Sequence, residues 1–314
     1  MVDEDLVKKD NRYYEGYTRR AVNGFLVLFL KGIALLPFWA IYLISDLMYF
    51  FVRYIVGYRK KVIIENLKHA FPEKPEGELQ EIMHKFYRHF CDFSLETIKL
   101  HYMTQQQMEK RLRINGMEFT NKLADKGISI ITMGFHYNNW EWGSYLQTKS
   151  KHQSLMVYSP LRGNSAMERF ISYSREKWGG KSVPIHKMVR AILEYVKEGK
   201  PSTMWLAADQ TPGADSPFWT MFLNRETPFF TGPEKIAIKT NQPVVFLHIK
   251  KTGRGKYEAN IEMLIEEPAK CEPKHILLAY ITKMEEIIRE TPEYYLWSHR
   301  RWKHKRPDGI ELTF

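Results

Sequence analysis

Short apolar runs alternate with amphipathic stretches along the chain after residue 115. Four runs have the length and composition of buried strands, and a fifth, 257–264, is expected to pair with the last of them as a hairpin. The four runs are ISIITM (128–133), SLMVY (154–158), TMWLA (203–207) and VVFLHI (244–249). Helical stretches are predicted at 164–178, 187–198, 234–240 and 273–290. Strands that alternate with helices predict an α/β fold with a mixed central sheet flanked by helices.

Two further helices are predicted before the sheet. Apolar residues recur at helical spacing between residues 62 and 70, and again between residues 77 and 100. The second stretch contains His84, His89 and Cys91, which are close enough in sequence to suggest a metal site. Helical spacing places Cys91 far around the helix from His89, so these side chains are interpreted as packing residues.

A long hydrophobic segment, FLVLFLKGIALLPFWAIYLI, covers residues 25–44. Its length matches the ~20 residues that span a bilayer, and it lacks the small-residue cleavage site of a signal peptide. Basic residues flank both ends: Lys8, Lys9, Arg12, Arg19 and Arg20 before it, and Arg53, Arg59, Lys60 and Lys61 after it. This distribution suits a segment that enters one leaflet, kinks near Pro37 and returns, although a single span and a buried soluble helix stay open.

The net charge narrows the choice of partners, and the cysteine content narrows the choice of compartment. The formal net charge is +11, so the protein attracts anions such as nucleic acid, an anionic membrane surface, or an acidic protein or lipid. The apolar segment of 20 residues disfavours nucleic acid. The two cysteines lack a CxxC arrangement and are too few for a disulfide framework, which favours a reducing compartment.

The stretch GFHYNNWEW (134–142) contains the strongest candidates for catalysis. His136 follows a predicted strand, and in α/β sheets functional sites gather at the carboxyl ends of strands. If Asn138 or Asn139 caps a helix there, Glu141 on its first turns is expected to reach back to the imidazole. A carboxylate on one imidazole nitrogen fixes the tautomer while the other nitrogen accepts a proton. The alternative is that His136 and Glu141 are a hydrogen-bonded structural pair in the core, because H-x4-E spacing often occurs by chance.

No other catalytic motif in the sequence competes with this pair. The chain has no HExxH zinc motif, no GxSxG nucleophile elbow, no P-loop and no GxGxxG cradle. Zinc hydrolysis, serine-nucleophile chemistry and nucleotide chemistry are therefore disfavoured, and neither a metal nor a cofactor is predicted.

From about residue 20 to residue 305, the sequence resembles the lipid A biosynthesis acyltransferases (lauroyl/myristoyl acyltransferases) of Gram-negative bacteria, in a Bacteroidetes-like version. The matching blocks are YRKKVIIENLKHAFPE (58–73), GFHYNNWEW (134–142) with its H-x4-D/E motif, VYSPLRGNSAMERFISYSREKWG (157–179), AADQTP (207–212), FFTGPEKIA (229–237) and PEYYLWSHRRWK (292–303). No single block is specific, but together they identify the family.

The resemblance implies transfer of a fatty acyl group from an acyl carrier protein thioester to a hydroxyl of a lipid A precursor, without metal or cofactor. It implies that His136 is the general base and that Glu141 orients and charge-compensates it. A glycerolipid-acyltransferase-like fold is expected, with residues 1–57 as basic N-terminus and membrane anchor and residues 58–314 as acyltransferase domain. The implied location is the cell inner membrane, in contact with membrane lipids, with the active domain on the cytoplasmic face.

The resemblance also suggests residues that bind substrate. Arg175 matches the arginine of the family and Asp209 its acidic residue after the next strand, so they are expected to pair with each other or to meet the acceptor's phosphates. Many relatives carry Arg or Lys where this chain has Ser159, and nearby Arg162 is the candidate substitute for phosphate binding. The tetrahedral oxyanion of such a reaction needs hydrogen-bond donors, for which backbone amides or Asn138 and Asn139 are the candidates.

Alternatives stay open for the reaction and for the C-terminal tail. The same base chemistry would serve another lipid acceptor, such as a lysophospholipid or an aminolipid. A membrane-surface protein without chemistry, in which His136 and Glu141 are structural, is the third possibility. The tail SHRRWKHKR (298–306) groups basic residues around Trp302, and it either holds anionic head groups or the acidic carrier protein, or is simply solvated.

Overall fold

A seven-stranded mixed sheet forms the centre of the computed structural model, which describes residues 13–314. The predicted basic residues Lys8, Lys9 and Arg12 therefore lie outside the described residues. The strands of this sheet are β1 (Leu112–Asn115), β2 (Ile130–Gly134), β3 (Gln153–Tyr158), β4 (Lys181–Pro184), β5 (Ser202–Ala207), β8 (Val244–Gly253) and β9 (Lys256–Ile265). A smaller sheet contains β6 (Trp219–Phe222), β7 (Arg225–Pro228) and β10 (Leu312–Thr313).

The order of strands in the large sheet is β1-β9-β8-β2-β5-β3-β4. The central strand β2 is parallel to both β5 and β8, whereas β8 and β9 pair antiparallel as the predicted hairpin. The buried runs of β2 and β8 are apolar on both faces, because helices or loops cover the sheet on each side. The predicted α/β fold with a mixed sheet is confirmed.

Helices cover the sheet and connect its strands. They are α1 (Tyr17–Leu35), α2 (Phe38–Phe50), α3 (Lys60–Ala70), α4 (Glu76–Leu100), α5 (Gln105–Glu109), α6 (Met117–Asp125), α7 (Ser165–Glu176), α8 (Met188–Lys197), α9 (Gly232–Thr240) and α10 (His275–Glu290). A 3-10 helix covers Trp140–Thr148, where a regular helix was expected. The other predicted helices are confirmed to within a few residues.

The hydrophobic N-terminal segment is two helices rather than one. Helix α1 ends before Pro37, because proline disfavours helical conformation in the residue that precedes it, and Leu36 is extended. The predicted kink near Pro37 is present, so residues 25–44 do not form one straight helix. Helix α2 continues through a π-helical turn to Val56, and Phe38–Val56 is the stretch whose length and mean hydropathy of 1.4 suffice for a span. Only 17% of that stretch is buried.

The carboxyl group of Glu96 on α4 joins the N-terminal helices to the sheet. It is fully buried and accepts hydrogen bonds from the Tyr42 hydroxyl of α2 at 2.9 Å and the Tyr257 hydroxyl of β9 at 2.7 Å. The Asn139 amide, next to the 3-10 helix, donates to it at 2.8 Å. Burial raises the pKa of Glu96 above its ordinary value despite these donors. Three separate elements are therefore fixed to α4 at one point.

Replacing Glu96 with alanine is expected to leave three buried donors without an acceptor. Each unsatisfied group costs about 1–3 kcal/mol, so the free energy of unfolding should fall by several times the loss in Glu96→Gln, which keeps an acceptor oxygen. Denaturant unfolding of both variants in detergent measures the difference. Equal stability of the alanine variant and the wild type would show that these hydrogen bonds do not hold the elements together.

Candidate active site

His136 stands at the carboxyl end of the sheet, beside Asp209. Strands β2 and β5 are paired so that Gly134 lies opposite Ala207, and each of the two polar residues follows two positions later. The register therefore brings them together: Nδ1 of His136 lies 2.7 Å from Oδ1 of Asp209. The backbone N–H of His136 also donates to Oδ2 of Asp209 at 3.1 Å. Both carboxylate oxygens of Asp209 are thus used to hold one residue.

Neither a hydrogen bond nor an ion pair joins Glu141 to the imidazole, so the expected hydrogen bond between them is wrong. The carboxylate of Glu141 instead accepts from Nη2 of Arg175 at 2.6 Å and from Nε at 2.8 Å. Between His136 and Glu141 the chain turns through Asn138, which has a left-handed φ of 53°, into the 3-10 helix. This turn directs Glu141 towards α7. The expected pairing of Arg175 with Asp209 is therefore also wrong.

Electrostatic interactions hold both carboxyl groups in the ionised form. Burial raises the pKa of Asp209, but the charge of His136, two hydrogen bonds from it and the charge of Arg301 lower that pKa, and the net shift is downward. Burial likewise raises the pKa of Glu141, but Arg175, Trp140 and His136 lower it, and the net shift is downward. Burial lowers the pKa of His136, whereas Asp209 and, through space, Glu141 raise it, and the net shift is upward.

The hydrogen bond to Asp209 determines which nitrogen of His136 can act as a base. An ionised carboxylate only accepts, so Nδ1 carries the hydrogen and Nε2 has the free lone pair. The side-chain nitrogen of Gln210 lies 3.2 Å from Nε2 and can donate to it. The ring of Trp140 packs edge-on against the imidazole, with ring centroids 4.9 Å apart. This arrangement orients a neutral imidazole to take a proton at Nε2.

A cavity of about 460 Å³ opens at this imidazole. Its polar end is formed by His136, Glu141, Arg175 and Gln210. Apolar side chains line much of the rest, among them Met156, Ile171, Trp205, Leu247 and Ile249, together with polar ones such as Ser159, Ser172 and Glu168. Gly143 in the 3-10 helix packs closely on Trp205, since a Cβ there would lie 2.9 Å from the indole ring. The cavity thus joins a group of charged side chains to an apolar slot of the kind that accepts a hydrocarbon chain.

Asn139 does not reach this cavity. It is fully buried, its amide nitrogen donates to Glu96, and its side-chain oxygen accepts from the backbone of Trp142 at the start of the 3-10 helix. The side chain is therefore a helix cap rather than an oxyanion donor. Its neighbour Asn138 is also buried and donates to the Ile249 carbonyl at 2.8 Å.

Arg162 lies outside the cavity lining and is exposed. Its guanidinium carbon is 5.9 Å from the centre of the Tyr13 ring, and its carbonyl accepts from Arg19. Ser159 and Leu161 of the same loop do line the cavity. A phosphate-binding role for Arg162 stays a prediction. Sequence reasoning also missed Gln210 as a partner of His136, although it lies in the block AADQTP that marked Asp209.

The family described as bacterial lipid A biosynthesis acyltransferase matches residues 11–304, nearly the whole chain. The chain belongs to this family. The family resemblance seen in the sequence is thereby confirmed. Its separate blocks meet at one place, because His136, Glu141 and Arg175 line the cavity and Asp209 lies directly behind His136, hydrogen-bonded to it.

Individual relatives are lipid A acyltransferases of low sequence identity. The lipid A biosynthesis lauroyltransferase of Escherichia coli K12 is 25% identical over 263 residues, which cover 82% of each chain. The lipid A biosynthesis palmitoleoyltransferase of the same organism is 22% identical over 254 residues, which cover 80% of each chain. Among solved structures, 1-acyl-sn-glycerophosphate (LPA) acyltransferase from Thermotoga maritima matches with a TM-score of 0.36 and 17% identity, covering 80% of this chain and 95% of that one.

In this lipid A acyltransferase, Arg175→Met is expected to leave Glu141 as an unpaired carboxylate with little exposure. Breaking a buried ion pair from one side typically costs about 3–5 kcal/mol of unfolding free energy. The double variant Arg175→Met/Glu141→Gln should lose less, because it buries no charge without a partner. Denaturant unfolding measures both, with Arg169→Met, an exposed residue of the same helix, as control. Losses of equal size in the single and double variants would contradict the ion pair.

Proposed function

We propose that this family member transfers a fatty acyl group from an acyl carrier protein thioester to a hydroxyl of a lipid A precursor. Membership of the lipid A acyltransferase family supports acyl transfer to lipid A. The net charge of +11 supports an acidic protein as donor. One observation carries the mechanism: an imidazole that lines an apolar cavity has its inner nitrogen 2.7 Å from a buried carboxylate.

In the proposed reaction, Nε2 of His136 removes the proton of the acceptor hydroxyl as its oxygen attacks the thioester carbonyl carbon. The imidazolium is stabilised by Asp209 while the tetrahedral intermediate exists. When the intermediate collapses, the carbon–sulfur bond breaks and the carrier's thiol leaves with the proton from Nε2. The product is an ester, and His136 returns to the neutral form. The thioester is already activated, so the mechanism requires no acyl-enzyme.

Glu141 has a different part in this mechanism from the one that the sequence suggested. Its carboxylate holds Arg175 at the polar end of the cavity and contributes negative charge near His136. The guanidinium is thereby fixed where an anionic group of the acceptor, such as a phosphate, would meet it. Asp209, which the sequence suggested as a substrate ligand, orients the base instead. His136 and Asp209 are the proposed base pair, with Glu141 and Arg175 as the adjacent binding pair.

Activity should depend on pH through His136. Because Asp209 and Glu141 raise its pKa, the imidazole stays protonated, and inactive as a base, to a higher pH than an ordinary histidine. The acid limb of a kcat/KM profile is therefore expected to have a midpoint above 6.5. The assay uses protein in detergent with acyl carrier thioester and a panel of acceptors: lipid A precursor, lysophospholipid and aminolipid. If only lysophospholipid is acylated, lysophospholipid replaces the lipid A precursor as the acceptor.

Two substitutions test the base assignment. His136→Ala should lose activity by on the order of 10²–10⁴, and equal product from it and the wild type would refute the assignment. Asp209→Asn removes the charge that raises the pKa of His136, so its residual activity should be low and its acid limb should move to lower pH. Asp215→Asn, an exposed acid in the loop that follows, is the control and should leave the profile unchanged.

We also propose that α1 and α2 lie on one leaflet of the inner membrane from the cytoplasmic side. Large apolar side chains along both helices are exposed, among them Phe25, Leu28, Phe29, Leu35, Trp39, Leu43 and Leu47. Hydrogen bonds join both ends of the segment to the part of the chain that carries the proposed active site, called the catalytic part below. Asn23 donates to the Gly163 carbonyl at 3.1 Å, and Arg59 donates to the Ser298 carbonyl at 2.8 Å. A single span would place those ends on opposite sides of the bilayer.

Labelling with a membrane-impermeant maleimide tests this topology. In a Cys271→Ser background, Arg20→Cys and Lys61→Cys are expected to react from the same side of sealed inner-membrane vesicles. That side should be the one from which Lys126→Cys, an exposed marker in the catalytic part, is labelled. Reaction of Arg20→Cys and Lys61→Cys from opposite sides would mean that the segment crosses the membrane once.

A further inference from the structure

Helix α8 presents a row of exposed aliphatic side chains. The row consists of Ile185, in the 3-10 turn that precedes the helix, and Val189, Leu193 and Val196, each of which is between 50% and 61% exposed. Spacings of three and four residues place the members of the row on one face of the helix. Ile192 is buried instead, where α8 packs against β4 and β5. The row therefore lies beside the packing face, and a contiguous apolar surface of this kind marks an interaction site.

Charged residues border this row unevenly. On a helix that turns by about 100° per residue, Arg190 and Lys197 lie about 100° and about 80° from Val189, next to the row. Glu194 lies farther round, at about 140° from Val189. Its carboxylate is ion-paired with Arg190 at 2.9 Å. The edge of the polar face that meets the aliphatic row is therefore basic, which is the arrangement of helices that lie in the plane of an anionic lipid surface.

The row begins at the opening of the active-site cavity. Ile185 and Met188 both line this cavity, and Ile185 is half exposed, so it lies where the cavity meets the surface. Leu161, another exposed lining residue, belongs to the loop that is attached to α1 by the hydrogen bond from Asn23 to the Gly163 carbonyl. Helix α1 also packs against α7, which contributes to the cavity lining. The cavity is therefore bordered by elements held to the hydrophobic N-terminal segment and by the start of α8.

We propose that α8 is a second membrane contact, whose aliphatic row inserts between the lipids of an anionic surface. The helix has 10 residues. A bilayer span needs about 20, so α8 would lie flat in the interface. Lipid fits the row better than a protein partner does, because the row continues into a cavity with an apolar slot and has a basic border. The cavity would then open against the membrane, between α8 and the loop held by α1. The inference goes beyond the proposed reaction, and it rests on the proposed placement of α1 and α2 only for the choice of membrane.

Spin labels on single cysteines measure the depth of the row in lipid. In a Cys271→Ser background, in which the remaining Cys91 is buried, labels are placed at Val189→Cys and Leu193→Cys. Glu194→Cys, an exposed position on the polar face of the same helix, is the matched control. The intact protein is reconstituted in nanodiscs of phosphatidylcholine and phosphatidylglycerol. Oxygen concentrates in lipid and a nickel chelate stays in water, so the ratio of their collision rates with a label reports its depth. That ratio should be several-fold higher at the two row positions than at the control.

Three results would overturn the membrane contact. Equal ratios at the row positions and at the control would show that the row stays in water. Slow collision of the row labels with both reagents would mean that protein, such as a second copy of the chain, covers them. Protection that appears only after an acidic acyl carrier protein is added would assign the row to that partner. Val196→Cys replaces either row variant if it does not fold.

The depth measurement also separates this inference from the proposed reaction. It needs no substrate and no acyl transfer. A high ratio at the row positions in a protein without acyltransferase activity would therefore refute the proposed function and leave the membrane contact of α8 standing.

Discussion

One buried carboxyl group, that of Glu96, limits how the parts of this protein can be arranged. A polar group without exposure has to be satisfied by hydrogen bonds, and its donors come from α2, from β9 and from the residue that starts the 3-10 helix. None of the three can shift without leaving a buried polar atom unpaired. Helix α2, strand β9 and the turn that presents His136 are therefore constrained together, which gives the site support from three elements.

Charges at the site are arranged as two separate pairs. His136 and Asp209 come from the ends of neighbouring parallel strands, whereas Glu141 and Arg175 come from the 3-10 helix and α7. The guanidinium of Arg175 lowers the pKa of Glu141 and the hydrogen bonds from His136 lower that of Asp209, in spite of burial. The pairing also separates two tasks in the proposed mechanism: one carboxylate controls the basicity of the imidazole, and the other fixes a guanidinium in the cavity.

Much of this fold could be predicted from periodicity alone. The short apolar runs predicted strands β2, β3, β5 and β8 and the hairpin that follows, because burial on both faces leaves a clear pattern in the sequence. The edge strands β1 and β4 were missed, since four residues with mixed burial carry no such signal. The small second sheet was also missed: β6 and β7 are as short as the edge strands, and β10 pairs with β6 from a segment that is distant in the chain.

At the site, the residue types were predictable and their partners were not. Sequence spacing placed His136 after a strand, but a left-handed Asn138 and a 3-10 helix, both tertiary outcomes, turned Glu141 away. Asp209 lies 73 residues from His136, and only strand register brings them together.

The attachment of the hydrophobic segment at both of its ends has a consequence for how such an enzyme would meet its substrates. Hydrogen bonds from Asn23 and Arg59 hold both ends of the hydrophobic segment against the rest of the structure, which includes the proposed active site. On the proposed membrane surface, these connections would fix the height of His136 above the lipid. The lipid acceptor would then reach the enzyme by lateral diffusion in the membrane, whereas the water-soluble donor would arrive from solution.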